Sequence, residues 1–71
     1  MAKPQLVDVQ LTRNGNPVGV RYVSEVDHTD PADRAGLFHD ALTHARVDGA
    51  GCLIQVFRRG TDEELFRYPA G

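Results

Sequence analysis

Asn14-Gly15 lies between two runs of alternating apolar and polar residues, and this arrangement limits the fold more than any other feature of the chain. Asn-Gly is the dipeptide best suited to the two positive φ angles of a type I′ turn, whose twist matches that of two antiparallel strands. Before it, Leu6 to Arg13 alternate, with Val7, Val9 and Leu11 on one face and Asp8, Gln10 and Thr12 on the other, the pattern of a half-buried strand. A two-residue turn sets Arg13 opposite Asn16, then Leu11 opposite Val18, Val9 opposite Val20 and Val7 opposite Tyr22. All three apolar pairs then share a face, which specifies the register. The missing N–H of Pro17 points away from the first strand in this register, so the second strand belongs at a sheet edge. Its opposite face carries Arg21, Val23 and Glu25.

Beyond this hairpin the period changes. Thr29 or Asp30 is placed to cap a helix whose first turn holds Pro31 and Asp33, both suited to that end. Ala35, Phe38, Ala41, Leu42 and Ala45 form one stripe at helical spacing, with Asp33, Gly36, Asp40, Thr43 and His44 opposite. Asp48-Gly49 is expected to close the helix. Cys52 to Arg59 is apolar on both faces, with Cys52, Ile54 and Val56 on one and Leu53 and Phe57 on the other, which marks a central strand. Glu63 to Tyr68 alternates again. A three-residue loop of Gly60-Thr61-Asp62 aligns Arg59 with Glu63, Arg58 with Glu64, Val56 with Phe66 and Ile54 with Tyr68. The expected fold is α+β in the order ββαββ, a four-stranded antiparallel sheet of order 2-1-3-4 with one helix packed on one face. Another strand order, or hairpins exchanged between two chains, satisfies the same alternation.

The 71 residues are expected to form one small domain, residues 1–71, and such a chain buries only ~60% of the surface it exposes when unfolded. Its core is thin, and a partner subunit is a common supplement at this size. An intrachain disulfide is excluded, since Cys52 is the only cysteine; within the run Cys52-Leu53-Ile54 it reads as a buried, reduced thiol. The N-terminal residues lack the apolar stretch of a signal peptide, and no run approaches the ~18 apolar residues of a membrane span. A cytoplasmic location is the expectation. The net charge of −2 supplies no bulk attraction to nucleic acid or anionic lipid.

Chemistry-bearing patterns are few. Asp27-His28-Thr29-Asp30 surrounds a histidine with carboxylates, as a general base or metal ligand requires, but Thr29 and Asp30 already serve as caps and one histidine leaves a zinc site short of ligands. Asp40 and His44 have the spacing of a surface ion pair. Gly49-Ala50-Gly51 precedes a strand and not a helix, so it is no phosphate loop. No catalytic, metal or cofactor residue is therefore assigned, and the chain reads as non-enzymatic. A nucleic-acid surface would draw on Arg13, Arg21, Arg58, Arg59 and Arg67, gathered across a dimer. The preferred reading is a protein-interaction or regulatory domain, acting as a homodimer or docked on a larger protein. One helix leaves the other sheet face uncovered, with Leu53 and Phe57 as anchors, Leu65 in support, Val23 and Leu6 nearby and Arg59 in the rim.

Overall fold

Asn14 and Gly15 adopt positive φ angles of 51° and 84°, and Arg13 pairs with Asn16 across them, as the Asn-Gly signal predicts. This computed structural model describes residues 4–69. Its elements are β1 (Gln5–Arg13), β2 (Asn16–Val26), α1 (Pro31–Ala45), β3 (Cys52–Arg58) and β4 (Glu64–Tyr68). The four strands form one antiparallel sheet of order β2-β1-β3-β4, with α1 touching β2, β3 and β4. Pro17 lies on the edge strand β2, where its absent N–H interrupts no ladder.

The register of the first hairpin holds only as far as the predicted pair Leu11 and Val18. Val9 then pairs with Tyr22 and Val7 with Ser24, so the expected pairs Val9–Val20 and Val7–Tyr22 do not form. Gln10 faces the three residues Gly19, Val20 and Arg21, a bulge of two extra residues on β2. Gly19 has a φ of 72°, which a β-branched residue could not adopt without strain. Because the insertion is even, alternation resumes unbroken: Tyr22 returns to the face of Val9, while Val20 is left 83% exposed.

The second hairpin also contains a shift. Ile54–Tyr68 and Val56–Phe66 pair as predicted, but Phe57 pairs with Glu64 and Leu65 is the extra residue. The Arg58 N–H bonds to the Glu63 carbonyl, and their side chains form an ion pair. This replaces both predicted pairings, Arg59 with Glu63 and Arg58 with Glu64. Thr61 N–H closes the turn on the Arg58 carbonyl at 3.0 Å, with Gly60 at a φ of 76°.

Asp30 caps α1, its carboxylate accepting from the Ala32 N–H at 2.9 Å, and Pro31 opens the first turn. The helix ends earlier than Asp48-Gly49. Arg46 takes the left-handed conformation at φ 60°, and the N–H groups of Arg46 and Val47 bond back to Thr43 and Leu42. This is a Schellman closure made without glycine. The inward face is also turned relative to the predicted stripe. Leu37, absent from that stripe, is 5% exposed and Ala41 is buried, while Phe38, Leu42 and Ala45 pack at the margin. Beneath them lie Val7, Val9, Ile54 and Val56, fully enclosed, joined by Leu11, Cys52 and Phe66.

Candidate functional site: the uncovered sheet face

Strand alternation sends Leu6, Asp8, Gln10 and Thr12 of β1, Leu53, Gln55 and Phe57 of β3, and Arg21, Val23 and Glu25 of β2 to the face opposite α1. Phe57, the expected anchor, is only 9% exposed. Arg21 covers it, with its guanidinium carbon 4.1 Å from the ring centroid and one nitrogen 3.3 Å from the Asp62 carboxylate. A guanidinium over an aromatic face is attracted by the ring quadrupole and keeps its outer edge in water. The β3–β4 turn is tied to the same face, because the Gly60 N–H donates to the Asp8 carboxylate at 2.9 Å.

Of the other residues assigned to this surface, Leu53 is half-buried and Val23 is 49% exposed. Leu65, displaced by the bulge, packs against the helix-side core and adds little to the patch. Arg59 is exposed in the turn, without a carboxylate partner among the described residues. Leu6 is 51% exposed, and since Leu6 pairs with Glu25 and Asp8 with Val23, the two apolar side chains are diagonal neighbours. The exposed apolar surface therefore lies toward β2 and the start of β1, displaced from the Phe57 centre that the sequence suggests.

The polar stretch before α1 is occupied by capping. Asp27 accepts from the Thr29 N–H at 3.0 Å and from its hydroxyl at 2.6 Å; Asp33 accepts from the Asp27 N–H at 3.0 Å. The His28 carbonyl accepts from Arg34. His44 rests beside Tyr22, ring centroids 5.4 Å apart. Among the described residues no three His, Cys, Asp or Glu side chains converge as metal ligands. A hollow of about 260 Å³ is bounded by Val18, Tyr22, Ala41, His44 and Ala45.

The hydroxyl and backbone bonds from Thr29 hold the Asp27 carboxyl below its ordinary value of 3.8. A lowered native pKa stabilises the fold above the unfolded value, and that contribution is lost as pH falls through the native one. Asp27→Asn is therefore expected to be less stable than wild type at neutral pH. The two chains should converge in strong acid, as followed by thermal melts across an acid series.

Four of the five arginines considered for nucleic acid are already paired. Arg13 meets Asp48 at 2.9 Å, Arg21 meets Asp62, Arg58 meets Glu63 and Arg67 meets Glu64 at 2.7 Å. The pairs are exposed and individually weak, but they leave little uncompensated positive charge to neutralise phosphates. Among the described residues no helix is long and apolar enough to cross a membrane. No family model, curated protein or solved structure matches this chain.

Proposed function

We propose that this chain is a non-enzymatic protein-interaction domain whose uncovered sheet face receives a protein partner. The observation that carries the reading is the pair Leu6 and Val23, each about half exposed on a sheet face that no helix among the described residues covers. Leu53 stands apart from them at the other end of the face, opposite Thr12, while Asp8, Glu25 and Arg59 supply a charged margin. Apolar centres with polar rims are the usual anatomy of protein interfaces. Phe57 serves as the floor of this surface and is reached only if Arg21 swings aside.

Leu6 is the residue to test, because it contributes exposed surface and little core. Proteins captured from cell extract by the immobilised wild-type chain are expected to be lost by roughly tenfold or more with Leu6→Lys, the loss typical of a buried anchor. The far-UV circular dichroism of the variant should match wild type. Undiminished capture of the same proteins by the variant would reject the open face as the docking surface.

A further inference from the structure

β2 is an outer strand, and natural edges of this kind are blunted by proline, bulges, lysines or a covering element. In β2 the blunting devices are Pro17 and the bulge at Gly19 to Arg21, both in its first half. From Val23 to Val26 neither device is present.

One hydrogen bond establishes which backbone groups face outward. The Asn14 N–H donates to the Gly51 carbonyl at 3.0 Å, continuing the ladder in which Arg13 pairs with Cys52 and Thr12 with Leu53. Antiparallel bonding alternates sides with each residue. Even-numbered residues of β1 therefore bond toward β3, and odd-numbered ones toward β2. Tyr22, Ser24 and Val26, paired with Val9, Val7 and Gln5, bond inward; Val23 and Glu25 direct their N–H and C=O groups to the open edge, and Arg21 is the last residue of the bulge beside them. Pro17 has the same outward parity, which explains how the strand accommodates it.

We propose that this edge pairs with β2 of a second copy, antiparallel about a two-fold axis through Val23. Val23 then faces its own counterpart, Tyr22 faces Ser24, and Arg21 of each chain faces Glu25 of the other. The Val23 pair is hydrogen-bonded, and the outward groups of Glu25 meet the other chain where its bulge ends at Arg21. Centring the axis on Arg21 or on Glu25 would set like charges face to face, which disfavours those registers. Charge complementarity thus selects a second copy as the occupant, in the isologous arrangement that a closed dimer requires. To face Glu25 of the second copy the Arg21 guanidinium leaves the Phe57 ring, 4.1 Å away, and the Asp62 carboxylate, whose side chain is 94% exposed and holds it weakly.

This pairing stands apart from the open-face reading, since it joins two uncovered faces side by side and buries neither. A single strand pair covers less than the ~1,200 Å² of a standard interface, so the dimer is concentration-dependent. Sedimentation of the wild-type chain from ~10 μM to ~1 mM is expected to pass from monomer to dimer. Val23→Pro removes an outward N–H together with the valine side chain, so Val23→Thr, which keeps the N–H, is its control: the proline chain should associate about tenfold or more weakly than the threonine chain, with unchanged circular dichroism. E25R alone should weaken it similarly, while an equimolar mixture of E25R and R21E chains should restore a dimer, because both crossed pairs are again opposite in sign. A chain that stays monomeric at ~1 mM overturns the proposal. So does a dimer that tolerates Val23→Pro but is lost with Leu6→Lys, a result that would instead place self-association on the open face.

Discussion

Ile54→Ala is expected to remove about 2–5 kcal/mol of stability, through the lost burial of the side chain and the cavity left behind. Ile54 is fully enclosed on β3, between Leu11 of β1 and Tyr68 of β4, where no exposed side chain is available to collapse into the space. A single core in a chain of this size supplies only ~3–5 kcal/mol in total, so the variant should be largely unfolded at physiological temperature. Urea titration followed by circular dichroism measures this directly. Val20→Ala provides the contrast: Val20 projects from the bulge and should change stability by less than about 0.5 kcal/mol. Had β1 and β2 paired without a bulge, Val20 would oppose Val9 in the core. A cost for Val20→Ala approaching that of Ile54→Ala would therefore refute the bulged register.

Leu37→Ala should cost about 2–3 kcal/mol, near the lower end for a buried leucine because the neighbouring helix margin has room to settle. Leu37 is the bulkiest fully inward side chain of α1, and with Ala41 it fixes the helix against the sheet. Ala35→Ser is the informative comparison, since Ala35 belongs to the stripe read from spacing but is only half-buried beside the docked face. Its expected cost is below about 1 kcal/mol. If the two substitutions shifted the denaturation midpoint equally, α1 would be docked along the Ala35 stripe and not the Leu37 one.

The displaced helix face has an identifiable cause in Arg34. It lies three residues before Leu37 and seven before Ala41, and so falls on the inward face, where a charged residue argues against burial in any reading of spacing alone. The structure accommodates it by sending the side chain along the core margin, with its guanidinium 4.7 Å from the Phe66 ring and a bond to the His28 carbonyl. An arginine can line a core in this way only when an aromatic face and a free carbonyl are within reach. Phe66 is far away in sequence, so nothing local announces the arrangement.

The open face shows the same division. Alternation correctly assigns Leu53, Phe57 and Val23 to the side away from the helix, because strand parity is a local property that even a two-residue bulge preserves. How much of each remains exposed is not local. Arg21 covers Phe57 because the bulge and the β3–β4 turn bring β2, β3 and Asp62 together. Leu65 moves toward the core because the second hairpin gains one residue between Val56 and Phe57 pairing.

Residue spacing by itself determined the element order, the antiparallel sheet with β2 at its edge, the turn at Asn14-Gly15, a helix cap at Thr29 or Asp30, the pairs beside the first turn, and Val56–Phe66 and Ile54–Tyr68 in the second hairpin. Each of these depends on neighbours within a few positions, where backbone geometry and periodicity act directly. Tertiary structure decided the two bulges, the rotation of α1 onto Leu37, the early helix end at Arg46 and the roof over Phe57. Those outcomes depend on fitting one helix, two twisted hairpins and their long side chains around a core too small to absorb a misfit, and that competition exists only once the distant segments have met.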